Sequence, residues 1–298
     1  MTWAEEDPGI AVTVDRSPGA STLRWAAHEA ALRKVSLTLV PVRPMPALGS
    51  FARVWTTAPT MDELGQWHAD EARQILSDVI KAVEDSPGGG DVPAINSDLL
   101  YSASPTLVDL SKKAQMVVVG YRRDGASGEA LRDSVAAGLA HLSHCPVAVI
   151  HDEDAGSLPS AQLPVLVGID GSGGSQLATE IAFAEASLRH VELVALHAWS
   201  DGHKSTMPTV EWPALESKAQ QVLTEGLAGW KDCYPDVTVR RIVVLNEPAR
   251  HLLEESCSAQ LLVVGSHGRG RCPGMALGSV STAVVKAVGI PVIVAPRG

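Results

Sequence analysis

Gly265, Gly268, Gly278 and Ser279, in the stretch LLVVGSHGRGRCPGMALGSVS (261–281), have the types and spacing to hold an anion. Glycine lets the backbone come close to a ligand because it carries no Cβ. The glycines follow an apolar strand-like run, LLVV, and precede a helix-like run, SVSTAVVKAV. An open α/β sheet binds ligands where its strands hand over to helices. The first residues of such a helix offer exposed N–H groups and the positive end of the helix dipole, both of which favour phosphate. His267, Arg269 and Arg271 add basic side chains, and no acidic residue lies between Gly265 and Ser279. The chemistry indicated is binding of a phosphate group. A strand-to-helix turn also carries glycines without any ligand, so the rest of the chain has to decide.

Familiar phosphate loops fail here one by one. A Walker A loop could start at Gly265 and Gly270, but Arg271-Cys272 follows where Lys-Ser should. A dinucleotide G-x-G-x-x-G would need glycine at Pro273, and no G-x-S-x-G nucleophile elbow occurs. The turn Ser172-Gly173-Gly174-Ser175 approaches an S-G-G-x-D-S loop, with Gln176 in place of the aspartate. What fits is G-x2-G-x9-G-[ST].

The elements that must position this loop occur twice. GIAVTVDRSPGASTLRWAAHEAALRKVSLTLV (9–40) matches VLVGIDGSGGSQLATEIAFAEASLRHVELVAL (165–196): a strand reaching Asp15 or Asp170, a small-residue turn, an Ala-rich helix, a second strand. AQMVVVGYRRDG (114–125) matches AQLLVVGSHGRG (259–270), and CPVAVI (145–150) matches IPVIVA (290–295). The polar segment HDEDAGSLPSAQLP (151–164) reads as a linker, giving units at 1–152 and 163–298. Continuously apolar strands alternating with helical stretches such as 61–85 predict parallel sheets covered on both faces. The segments 45–60 and 200–213 read as surface excursions, and SPGGGD (86–91) as a turn without a function.

Composition bounds the partners. The chain has 298 residues, 45% hydrophobic and 19% charged, as a globular protein does. Aromatic residues are only 4%, so Ala, Val and Leu must fill the core. A net charge of −10, from 34 acidic and 24 basic residues, argues against a nucleic-acid or anionic-membrane surface. MTWAEEDPG lacks the pattern of a secretory signal, and no apolar run is long enough to span a bilayer. Cys145, Cys233, Cys257 and Cys272 lack C-x-x-C spacing and read as reduced thiols, which predicts a cytoplasmic protein.

The signature Gly265, Gly268, Gly278, Ser279 resembles the ATP-binding signature of the universal stress protein family. The strand reaching Asp170, the LHAW strand (196–199) and the terminal PVIVAP (291–296) resemble that family too. The likeness covers both halves, so the chain is similar to a tandem universal stress protein. It implies two Rossmann-like α/β units, each an open parallel five-stranded sheet of order 3-2-1-4-5 with helices on both faces. It implies ATP, with or without Mg2+, as the ligand. Asp170 would take the ribose hydroxyls and the backbone at Ala198 the adenine edge. Gly265, Gly268 and Gly278 would admit the phosphates, and Ser279, Val280 and Ser281 would bind them. Family members pair through their last strands, which implies a pseudo-dimer of the halves through 147–150 and 292–295, and a further homodimer.

The first half breaks its own pattern. Gly120 and Ser134 survive in GYRRDGASGEALRDSV (120–135), but Arg123 and Asp133 replace the second and third glycines. Arg43 replaces the small residue at the adenine edge, while Asp15 keeps the ribose position. A carboxylate about 4 Å from a phosphate charge costs ~4 kcal/mol at an effective dielectric of 20. The half therefore reads as architectural, with a phosphate gripped by Arg123 as the alternative.

Other clusters carry less. His141, His144 and His151 surround Cys145, but His151 lies beyond a strand from the other two, which favours helix-end and linker histidines over a metal site. Trp199, Trp212 and Trp230 read as packing anchors, and Cys272 takes no role. No carboxylate or His–Ser arrangement supplies a catalytic base. The expected function is a nucleotide-binding stress or regulatory protein with little turnover. A slow ATPase or nucleotide-transferring enzyme is one alternative, and an interaction module without nucleotide is another. ATP, ADP and a cyclic nucleotide all remain compatible with the motif.

Overall fold

A computed structural model of the chain describes residues 9–14, 20–41, 77, 80–81, 94–97, 104–121, 136, 138–151, 160–199, 212–269 and 277–297. The first half contributes β1 (Ile10–Val14), α1 (Ala20–Arg33), β2 (Leu37–Pro41), β3 (Ile95–Ser97), α2 (Ser104–Leu110), β4 (Met116–Tyr121) and β5 (Val147–His151). The second contributes β6 (Val165–Gly168), α3 (Gly173–Arg189), β7 (Leu193–Trp199), α4 (Trp212–Gly226), α5 (Trp230–Cys233) and β8 (Val239–Leu245), then α6 (Pro248–Ser256), β9 (Leu261–Gly265), α7 (Ser279–Ala287) and β10 (Val292–Ala295).

These strands form a single ten-stranded sheet of order β3-β2-β1-β4-β5-β10-β9-β6-β7-β8. Each half keeps the order 3-2-1-4-5, and the second runs it in reverse because the halves meet edge to edge. Among the described residues the join is the only antiparallel pair, with Val292 opposite Val149, Ile293 opposite Ala148 and Val294 opposite Val147. An apolar edge strand left open recruits a partner. Here each half supplies the other's, so the pseudo-dimer expected from the last strands is the observed arrangement, and two expected sheets have become one.

The inner strands are apolar because both faces are buried, whereas the edge strand β8 carries the exposed Arg240 and Arg241. Val118, Ala148, Val167, Val263 and Ile293 lie in one layer with α1 and α3. Val117, Val119, Val147, Leu262 and Val292 lie in the other with α2 and α7. Both layers run across the join. Aromatic side chains are scarce; in the second half Trp230 stacks on Phe183 with ring centroids 6.0 Å apart, and Phe183 on Tyr234 at 5.8 Å. Trp230 is the packing anchor expected of it.

The helices start and stop on local signals. Ser172 caps α3 by accepting from Ser175 N, and His190 ends it in the left-handed conformation at φ 55°. Gly171, at φ +77°, makes the turn between β6 and α3. Among the described residues, no helix is long and apolar enough to cross a membrane.

The two Ala-rich helices also meet across the join. Arg33 bonds Glu29 (2.7 Å) and reaches Glu185, while Arg189 bonds both Glu185 and Glu29. The two carboxylates are fully buried. Burial and the facing Glu29 charge push Glu185 up to about 7. Burial works against the charge on Glu29 as well, but Arg189 and Arg33 outweigh it and hold that carboxyl below its ordinary value.

Candidate nucleotide site at the β6–β9 switch point

β6 and β9 are neighbours, and their chains leave the sheet in opposite directions toward β7 and β10. This is the switch point at which an open α/β sheet forms a crevice. Asp170 and the glycine loop both emerge there, so the structure brings together what the sequence placed about a hundred residues apart.

Asp170 ties the two loops to each other. Its Oδ1 accepts from Ser172 N (2.9 Å) and Ser172 Oγ (2.5 Å), and its Oδ2 accepts from Arg269 N (3.0 Å). Burial opposes its charge, but these hydrogen bonds outweigh burial and hold the carboxyl below its usual range. Asp170 is therefore an acceptor at neutral pH. A carboxylate has about four lone-pair sites, so it can still accept from a hydroxyl.

The three glycines differ in what requires them. A Cβ on Gly265 would stand 2.8 Å from the Gly174 carbonyl carbon, and a Cβ on Gly174 2.6 Å from the His267 oxygen. Backbone packs on backbone there, so the turn before α3 by itself requires Gly265. A Cβ on Gly268 would collide with Asp170 Oδ2. At Gly278 a Cβ would meet nothing nearer than the His267 Cα at 3.4 Å. Of the three, only this glycine could carry a Cβ in ordinary van der Waals contact.

Gly278 is also the N-cap of α7 and supplies no side-chain cap. Its own N–H donates to Ser266 O (2.8 Å), which turns the chain back toward β9. The N–H groups of Ser279, Val280 and Ser281 precede the first intrahelical bond, from Thr282 N to Gly278 O (2.9 Å), and have no intrahelical acceptor. Ser279 is exposed, Val280 partly buried and Ser281 buried. Ser281 Oγ donates to Gly265 O (2.6 Å). Its hydroxyl hydrogen thus fastens helix to strand, and only its backbone N–H remains for an anion.

On the far side of Asp170, β7 outruns β6. The pairing of the two ends at Gly168 opposite Leu196, whereas β8 follows β7 to Trp199. Leu196 O accepts from Ile169 N on the β6 side, and Trp199 O accepts from Asn246 N on the β8 side. Strand alternation therefore turns the N–H and C=O of Ala198 toward the gap beyond β6. His197 fixes this end, with its Nδ1 donating to Ile169 O at 2.6 Å. Burial pushes the imidazole pKa down, and the Arg269 charge lowers it further. The sequence reading gave His197 no role. Its signal was a polar residue inside an apolar strand.

In the first half, Gly120 of β4 stands opposite Ile150, as Gly265 at the end of β9 stands opposite Ala295. There β4 continues one residue further, with Tyr121 opposite His151. Tyr121 is buried with its ring edge-on to His151, centroids 4.9 Å apart, where the second half has the small Ser266. Asp15, Arg43, Arg123, Asp133, Ser134, Arg271 and Cys272 lie outside the described residues, as do the 45–60 and 86–91 segments and most of 61–85 and 200–213. His141, His144 and His151 do not converge: His151 faces Tyr121 and His141 faces His267. Among the described residues no group of three or more His, Cys, Asp or Glu could hold a metal.

Two parallel five-stranded halves joined edge to edge in one sheet, with helices on both faces, define a tandem Rossmann-like protein. The chain belongs to the universal stress protein family, whose model matches residues 9–151 and again 163–296. It is 47% identical over 297 residues to Universal stress protein Rv2623 of Mycobacterium tuberculosis, covering 99% of this chain and 98% of that one. It is 44% identical, over 99% of both chains, to Universal stress protein Rv2005c of the same organism. A universal stress protein from Archaeoglobus fulgidus DSM 4304 shares the fold, with TM-score 0.65 at 20% identity, covering 97% of this chain and 96% of that chain.

Proposed function

We propose that the chain binds one adenine nucleotide, ATP with or without Mg2+, at the β6–β9 switch point and serves as a regulatory stress protein with little or no turnover. The observation that carries this reading is a pair of unsatisfied backbone sites flanking Asp170. The uncapped first turn of α7 lies on one side and the Ala198 backbone on the other. Phosphates suit the first, an adenine edge the second and ribose hydroxyls the carboxylate between them.

Among the described residues no side chain is placed as a base for turnover. Asp170 already accepts three hydrogen bonds, and His197 spends its Nδ1 on Ile169 O. The first half, with Tyr121 at the position of Ser266 and Asp133 at that of Gly278, is the architectural partner. Units at 1–152 and 163–298, a cytoplasmic setting and a homodimer of the pseudo-dimer complete the reading. Free thiols at Cys145, Cys233 and Cys257 agree with the setting.

The test is to purify the full chain without added nucleotide, denature it and identify what is released by mass. Released ATP or ADP is the expected result. Protein that carries none, and binds neither ATP, ADP nor a cyclic nucleotide at millimolar concentration, would leave only the interaction-module reading standing.

A further inference from the structure

His267 is the pivot of the glycine loop. Its carbonyl oxygen stands where a Gly174 side chain would be, and its Cα is the nearest atom, at 3.4 Å, to a Cβ built on Gly278. Two of the loop's own contacts therefore pass through one residue. The third contact comes from the other half. The ring of His141, on the last helical segment of the first half, faces the His267 ring with centroids 5.8 Å apart and planes tilted by 59°. Among the described residues His141 Nδ1 is buried without a hydrogen-bond partner. That is a costly position for an imidazole unless its ring packing matters.

We propose that His141 is a positioning residue for the nucleotide loop of the second half, so that the first half sets the affinity of a site it does not contain. This rests on the nucleotide reading above. An aromatic pair in this tilted arrangement holds its partners in one relative orientation. Here that fixes His267, and with it the spacing between Gly268 and the first turn of α7. The coupling has a direction. The repeat that aligns CPVAVI (145–150) with IPVIVA (290–295) places Lys286, an exposed residue, at the position of His141. The histidine pair is not repeated in the reverse sense.

The test compares the full chain with His141→Ala and His141→Phe, the second keeping a ring. Two readouts are taken: ATP affinity by calorimetry, and hydrogen exchange of the 265–269 amides without nucleotide. His141→Ala should weaken ATP about tenfold, the upper end for one ring contact, and should speed exchange at 265–269 but not at 292–295. His141→Phe should stay within about twofold of wild type on both. If His141→Ala loses protection at 292–295 as well, the alanine protein has opened globally. The phenylalanine protein then decides, and more than tenfold weaker binding by it overturns the inference. Wild-type affinity with wild-type exchange in His141→Ala overturns it, and so does either readout moving without the other. Failure of the wild-type chain to bind ATP overturns the nucleotide reading instead. The exchange at 265–269 then judges the contact alone, and unchanged exchange rejects it.

Discussion

Glu29 and Glu185 occupy equivalent places on α1 and α3 and share the same two partners, since Arg33 and Arg189 each bridge both carboxylates across the join. With Glu185 ionised the charges balance, two against two, and both carboxylates are fully buried. Such a quartet locks the halves in register more than it adds stability, because burying four charges costs nearly what their attraction returns. Breaking it is another matter. Arg189→Ala leaves two buried carboxylates on one arginine and should cost about 3–5 kcal/mol, read as a lowered urea midpoint with unchanged slope. A loss under 1 kcal/mol would show that water replaces the arginine.

The same quartet predicts a pH dependence. Glu185 is raised from 4.5 to about 7, so between those values the folded state holds a proton that the unfolded state has released. Its contribution is fully present below pH 4.5 and is lost as pH rises to 7, by at most roughly 3 kcal/mol. Glu185→Gln mimics the protonated form and should remove this slope. The stability difference, wild type minus Glu185→Gln, should fall across pH 4.5–7 in urea titrations. A difference that rises or stays flat contradicts the assignment.

Gly268→Ala should drive a methyl group into Asp170 Oδ2. The expected cost is about 1–3 kcal/mol, as for other overpacked sites. Asp170→Ala removes the obstacle, so Gly268→Ala should cost much less in that background. A double-mutant cycle measures the coupling, and additive costs would contradict the geometry.

Gly278→Asp should separate folding from binding. A Cβ there makes only ordinary van der Waals contacts, and the backbone is extended at φ −62°, ψ 157°. Aspartate is a favoured N-cap there, so thermal stability should hold or rise by up to about 1 kcal/mol. A carboxylate about 4 Å from a phosphate should still weaken ATP roughly a thousandfold. A variant that unfolds would refute the steric reading, and one that binds normally would refute the electrostatic one.

The two units and their strands were legible because the chain states them twice in apolar runs, whereas the strand order, the β5–β10 join and the grouping of Asp170 with the glycine loop came from the family resemblance those runs carry. The reasons for individual glycines were not legible. Gly265 answers to Gly174 and Gly268 to Asp170, contacts that form only after the βαβ crossover and leave no mark near either residue. The quartet was half visible. HEAALR and AEASLR repeat a Glu–Arg pair four residues apart, a spacing that commonly reads as an exposed helix pair. Only the edge-to-edge join turns the pairs toward each other. Tyr121 escaped attention because strand propensity alone accounts for a tyrosine after VVVG.

The most direct measurement is an equilibrium titration of the full chain with ATP, after stripping any carried nucleotide, alongside Gly278→Asp. One site per chain, lost in Gly278→Asp, is the predicted result, since only the second half combines the uncapped α7 turn with Gly278. Two equal sites per chain, or a single site that survives Gly278→Asp, would contradict the account.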